Sequence, residues 1–82
     1  MRMTGIKTDT YRIEGNWMVD IQTKDDTYYA YLWHERYGIK ELMFGCPVKQ
    51  QSYEDFLDTV EANFDEYKDD YIEEVFDEED EG

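Results

Sequence analysis

The chain has 82 residues and a formal net charge of −14, and 17% of its residues are aromatic. This length fits one domain with a small core, while the aromatic content argues against disorder over most of the chain. The negative charge disfavours direct binding to nucleic acid or to an anionic membrane.

A single cysteine, Cys46, excludes an intramolecular disulfide and favours a reducing compartment. The N-terminal residues lack the apolar region of a signal peptide, and no apolar run approaches the ~20 residues of a membrane span. We therefore expect a cytoplasmic protein without a membrane-embedded segment.

The first half of the chain predicts four β-strands, because apolar and polar residues alternate between short polar turns. Gly15-Asn16 and Lys24-Asp25-Asp26 are the first two turn signals. Residues 27–34 are apolar on both faces, which predicts a central strand covered on one side by a helix and on the other by amphipathic aromatics. Gly45-Cys46-Pro47 is predicted to end the sheet. The predicted strands span residues 8–14, 17–23, 27–34 and 39–44.

The second half predicts one long amphipathic helix over residues 52–76. Ser52 is the predicted N-cap, with a carboxylate three residues on, as in a capping box. Apolar residues at helical spacing form one predicted core-facing stripe. They are Tyr53, Phe56, Leu57, Val60, Phe64, Tyr67, Tyr71 and Val75. The predicted fold class is α+β, an antiparallel meander of about four strands followed by this helix. Residues 1–76 form the predicted domain, and residues 77–82 a disordered acidic tail.

The net charge lies entirely in the last 31 residues. Residues 1–51 contain seven basic and seven acidic residues, which cancel, whereas residues 52–82 contain fifteen acidic residues and one base, Lys68. A neutral body with one anionic arm has a directed field that attracts cationic surfaces. The pattern therefore predicts a basic protein partner, one that itself binds nucleic acid.

The outer helix surface carries the candidate partner-binding residues in two rows at i, i+3 and i+4 spacing. The first row is Asp58, Glu61, Asp65 and Asp69, and the second is Glu66, Asp70, Glu73 and Asp77. The alternative is an ordinary solvated helix face. Like charges at this spacing destabilise a helix, which argues against a purely solvating role. Crowding should also raise carboxylate pKa values, so lower pH should stabilise the fold.

Ile72 and Phe76 depart from the apolar stripe and are predicted to project from the acidic side. Phe76 is a candidate apolar anchor for a partner, surrounded by steering charge. The alternative is that the last turn bends onto the sheet edge and buries it. Val75 is instead expected to be buried against the sheet.

The acidic cluster from Glu54 to Glu81, the tyrosine-rich neutral body and the size resemble a class of small acidic DNA mimics. These are inhibitors of the anti-CRISPR and anti-restriction type, encoded by phages and mobile elements. The resemblance implies a non-enzymatic inhibitor whose carboxylates take the place of nucleic-acid phosphates. Such inhibitors share no sequence motif, so it assigns no individual residue roles. Two alternatives are an immunity-type protein that neutralises a cationic toxin and a small structural or assembly protein of a phage or mobile element.

A catalytic pair of His34 and Cys46 is the enzymatic alternative, and no flanking motif supports it. One cysteine and one histidine cannot supply a zinc site, and the acidic helix lacks the pattern of a calcium-binding loop. The sequence predicts no catalytic, cofactor or metal site, and a monomer or weak homodimer.

Overall fold

The computed structural model describes residues 7–76, which form a four-stranded antiparallel sheet with one helix packed on it. The strands are β1 (Lys7–Glu14), β2 (Trp17–Lys24), β3 (Thr27–His34) and β4 (Glu41–Pro47), in the order β1-β2-β3-β4. Helix α1 (Tyr53–Tyr71) follows and continues into a π-helical segment, Ile72–Phe76. The predicted α+β meander is confirmed. The predicted tail, including Asp77, lies outside the described residues.

The first two turns have the backbone conformations that tight hairpins require. Gly15 has a φ of +54°, while Asn16 does not have positive φ, as in a turn of the glycine-first type. Asp25 and Asp26 both have positive φ, 52° and 60°, between the paired residues on either side. Asp tolerates this region better than most residues. Both predicted hairpins are therefore present.

Strand β4 begins and ends later than the sequence pattern suggests. Tyr37 and Gly38 donate backbone hydrogen bonds to the His34 carbonyl, which holds the chain in a turn. The strand starts at Glu41 and reaches Pro47, where Thr27 is its partner. Pro47 is tolerated because β4 is an edge strand. The predicted boundaries of 39–44 were wrong because an extended turn cannot be distinguished from a strand by alternation alone.

One face of the sheet and the apolar stripe of α1 form the core. Val19, Ile21, Ala30 and Leu32 are fully buried against the helix, together with Phe56. The Ser52 hydroxyl accepts a hydrogen bond from the Asp55 backbone N–H at 3.2 Å, which confirms the N-cap. The predicted stripe is buried or half-buried along its whole length. Its apolar contacts hold the helix against the sheet, with the charged side facing outward.

The opposite face of the sheet contains a buried carboxylate, Asp20, which is only 2% exposed. Thr10 Oγ1 and Trp33 Nε1 donate to Asp20 Oδ1 at 2.8 and 3.0 Å, and Lys40 Nζ donates to Oδ2 at 2.7 Å. Burial alone would raise the pKa of Asp20, but these hydrogen bonds and the lysine charge bring it below its ordinary value of 3.8. The alternation of residues along β2 puts Asp20 on this face, but no local sequence pattern indicates that it is buried.

Candidate partner-binding surface

The first and second rows of carboxylates lie on the solvent side of α1 and its π-helical extension. Every member within residues 7–76 is exposed. Positions four apart are separated by about 6 Å along the axis of a helix. Because the apolar stripe fixes the rotation of α1 on the sheet, both rows face solvent, and Asp70 of the second row lies beside the groove between the helix and β4. The described residues thus bring the predicted binding residues together as one surface, with Phe76 as the exception.

The flank of α1 toward β1 contains the helix's only cation. Lys68 Nζ lies 3.7 Å from Glu14 Oε2 at the end of β1 and 5.3 Å from the centre of the Phe64 ring. Its charge is therefore directed at the body rather than at the outer rows. The ion pair is partly exposed, so its contribution to stability is small, within about 1 kcal/mol.

The flank toward β4 contains two carboxylates outside the predicted set, Glu41 and Glu74. Together with Asp70, Met43 and Tyr71 they line a groove of about 190 Å³ between the helix and the sheet. Burial raises the pKa of Glu41 above its ordinary value of 4.5, and hydrogen bonding and repulsion from Glu74, with repulsion from Asp70, add to the rise. The acidic surface therefore extends onto the sheet edge. No local pattern could reveal this, because the helix register against β4 brings Glu41 and Glu74 together.

Two opposing pKa changes predict a maximum in stability at mildly acidic pH. Glu41 has a raised folded pKa, so its contribution is present below 4.5 and lost as pH rises through the folded value. Asp20 has a lowered folded pKa, so its contribution is present above 3.8 and lost as pH falls through the folded value. The melting temperature should rise from pH 7 to about pH 5 and fall below about pH 4. Circular dichroism melts across this range measure it.

Replacing Glu41 with Gln is the control for the predicted rise in melting temperature between pH 7 and about pH 5. The amide removes the charge of the side chain but keeps its shape. The E41Q variant should show a smaller rise between neutral and mildly acidic pH than the parent chain. A melting temperature that decreases between pH 7 and about pH 5 would contradict this explanation.

Phe76 is half-buried and packs against the core, contrary to the expectation that it projects from the acidic side. Its ring stacks on Trp17 with centroids 5.9 Å apart and planes at 13°, and it also contacts His34 and Tyr37. The π-helical segment explains the difference. Its i→i+5 bonding brings residues five apart onto one side, so Phe76 lies near Tyr71, at a centroid distance of 6.4 Å. Val75 is buried, as expected.

Changing Phe76 to Ala should therefore reduce stability rather than partner affinity. The lost aromatic contacts predict a decrease of about 1–3 kcal/mol in the free energy of unfolding, measured by urea denaturation. Ile72→Ala is the matched control, since Ile72 is exposed in the same segment, and should change stability by less than about 0.5 kcal/mol. An F76A variant of unchanged stability that no longer binds its partner would restore Phe76 as an anchor.

His34 ends β3 and Cys46 lies on β4, near opposite ends of the pair formed by these two strands. His34 ends the strand, where its Nδ1 accepts a hydrogen bond from the Arg36 backbone N–H, while Cys46 is paired with Tyr28. Tyr28 and His34 are six positions apart, or about 20 Å at the rise of a β-strand. The two side chains therefore do not form a nucleophile–base pair. Among residues 7–76, no group of three or more His, Cys, Asp or Glu residues could hold a metal ion.

Comparisons of this chain with protein families, curated proteins and solved structures found no match. In the part of the chain from 7 to 76, no helix is long and apolar enough to cross a membrane. Function is therefore inferred from the charge and geometry of the described residues.

Proposed function

We propose that the protein is a non-enzymatic inhibitor that presents its acidic helix in place of nucleic-acid phosphates. The partner is a basic nucleic-acid-handling protein, such as a CRISPR or restriction nuclease, whose cationic surface the helix occupies. The supporting observation is the density of exposed carboxylates along one helix fixed to a folded body.

The charge spacing along the helix is close to that of one DNA strand. Ten acidic residues lie between Glu54 and Glu74, a span of twenty residue steps or about 30 Å at 1.5 Å per residue. This gives one negative charge per about 3 Å, whereas a strand of B-DNA has one per about 3.4 Å of axis. Lys68 is the one cation in that span, and it faces Glu14. A surface that binds a DNA strand through spaced Lys and Arg residues meets a comparable charge density here.

The packing of α1 makes these charges a rigid array rather than a flexible tail. Phe56, Val60 and Phe64 are buried at successive turns, so the helix does not have to fold when a partner binds. Pre-organisation lowers the entropy cost of association. It also gives the array a specific shape, which a disordered acidic segment would lack.

The field of the acidic helix limits its partners to molecules with a cationic surface. It repels nucleic acid, and it attracts any cationic protein surface of suitable shape. An immunity-type protein that neutralises a cationic toxin would require the same field. The inhibitor function and the immunity function therefore differ in the identity of the partner. An assembly role would depend on apolar contacts and would be less sensitive to salt.

Affinity capture from a lysate of the source cells, using the immobilised chain, tests this proposal. At about 0.1 M salt the Debye length is about 10 Å, and at about 1 M it is about 3 Å, so a charge-driven complex should be retained at the lower concentration and released at the higher. The released protein should be a nucleic-acid-binding enzyme whose activity the chain inhibits. A captured protein that resists about 1 M salt and does not bind nucleic acid would contradict the proposal.

A further inference from the structure

The sheet face opposite α1 is uncovered within residues 7–76. The side chains on this open face alternate along β3 with the buried residues beneath the helix. Tyr29, Tyr31 and Trp33 are half-buried on it, Met18 lies beside Trp33, and Leu42 is 55% exposed on the neighbouring strand. These five residues are apolar and aromatic members of the open face, which is the whole sheet face opposite α1.

Charge is compensated on the open face, in contrast to the helix side of the molecule. Asp20 is the carboxylate at its centre, and it is buried and paired with Lys40. Arg12, on the outer strand, pairs with Glu35 at 3.2 Å. The acidic rows lie on the other side of the sheet. A molecule that approaches the open face therefore meets little uncompensated charge, whereas one that approaches the helix side meets the acidic rows.

Two aromatic side chains of the open face, Trp33 and Tyr29, are held in position before any partner binds. Trp33 donates its indole N–H to Asp20 at 3.0 Å, and Lys40 Nζ lies 5.1 Å from the centre of the Trp33 ring. The Tyr29 ring lies against Gly45, where an added Cβ would approach it to 3.0 Å. Ordered Trp and Tyr side chains are typical of the residues that dominate interface energetics.

We propose that a second copy of this chain binds the open face, forming a symmetric dimer with both acidic helices outside. Each copy has a net charge of −14, so contact through α1 would place the acidic rows of the two copies together. Contact through the open faces separates the helix axes by two helix–sheet layers and one sheet–sheet layer, about 30 Å in all. That separation exceeds the Debye length of about 8 Å at physiological salt. Self-association through this side therefore encounters the least repulsion.

The area of the open face indicates a weak dimer. Four strands about 4.8 Å apart and about 25 Å long give roughly 500 Å² per copy. The two copies would then bury about 1,000 Å², which is the lower limit for a specific interface. The dimer should accordingly dissociate on dilution.

Sedimentation equilibrium over a range of protein and salt concentrations tests the proposal. The dimer fraction should not decrease from about 0.1 M to about 1 M salt, because the contact is not held by attraction between charges and the acidic rows of the two copies are farther apart than the Debye length. Leu42→Glu places a charge in the contact and should raise the dissociation constant at least about tenfold. Ile72→Glu is the matched control, with the same charge change at an exposed aliphatic residue on the helix side. It should change the dissociation constant by less than about twofold at about 1 M salt.

A chain that remains monomeric at about 1 M salt and millimolar concentration would overturn the proposal, as would equal effects of L42E and I72E. Thermal melts of both variants establish that each is folded, as expected for substitutions at exposed positions. Dimerisation should persist at about 1 M salt, whereas capture of a basic partner should be lost. The two proposals can therefore fail independently.

Discussion

Reversing the first row of carboxylates to lysine is expected to eliminate binding to the basic partner while leaving the fold intact. Each exposed pair contributes about 0.2–1 kcal/mol, and reversal replaces an attraction with a repulsion of similar size. Four reversals should therefore cost about 2–8 kcal/mol, from about thirtyfold weaker binding to complete loss. All four positions are exposed and lie off the apolar stripe. The substitutions are Asp58→Lys, Glu61→Lys, Asp65→Lys and Asp69→Lys.

A single neutralisation in the same row should have little effect, because the charges act collectively. Asp65→Asn should weaken binding by less than about fivefold. A control with the same change in net charge reverses four exposed carboxylates outside α1. These are Glu14, Asp25, Asp26 and Glu35.

The control variant should retain most of the affinity, measured by titration calorimetry with the captured partner, and its fold is checked by thermal melting. Equal loss in both fourfold variants would mean that net charge rather than the acidic helix controls binding. Loss of binding in Phe76→Ala, with none in the first-row variant, would mean that charge mimicry is the wrong mechanism.

Among the single substitutions proposed within residues 7–76, Phe56→Ala should cause the largest decrease in the free energy of unfolding. Phe56 is fully buried, and its ring packs against Tyr28 and Phe44 at centroid distances of 5.2 and 5.6 Å. Truncating a buried Phe costs about 3–5 kcal/mol, whereas a domain of this size has about 4–12 kcal/mol of total stability. The variant should be partly or wholly unfolded at 37 °C, as measured by urea denaturation and circular dichroism.

Leu57→Ala is the matched comparison, because Leu57 is the next residue in the same helix but is only half-buried. It should lower the free energy of unfolding by about 1–2 kcal/mol. Alanine favours helix in both variants, so the difference between them measures burial. Equal destabilisation by the two substitutions would show that α1 is not anchored through Phe56.

The elements with a clear local signal were predictable from the sequence. Alternating residues in β2, the Gly15-Asn16 and Asp25-Asp26 turns, and the spacing of the apolar stripe depend on neighbours along the chain. The serine N-cap of α1 is equally local. These features fixed the order of elements and the antiparallel meander, and the structure has both.

Features that depend on contacts between distant elements were not predictable in the same way. Asp20 is buried because Thr10, Trp33 and Lys40 converge on it from other parts of the chain. Glu41 joins the acidic side through the position of Glu74 on the helix. Phe76 turns onto Trp17 because the last turn is π-helical, and helical periodicity of 3.6 residues placed it on the wrong side.

Displacement by DNA is the most direct measurement of the central claim, that the acidic helix occupies a nucleic-acid-binding surface. The partner captured at about 0.1 M salt is challenged with a double-stranded DNA oligonucleotide, and with neutral dextran as a control. DNA should release the partner in proportion to its concentration, dextran should not, and the first-row variant should capture no partner. Retention of the partner at saturating DNA, with simultaneous binding of DNA and this chain, would contradict the claim.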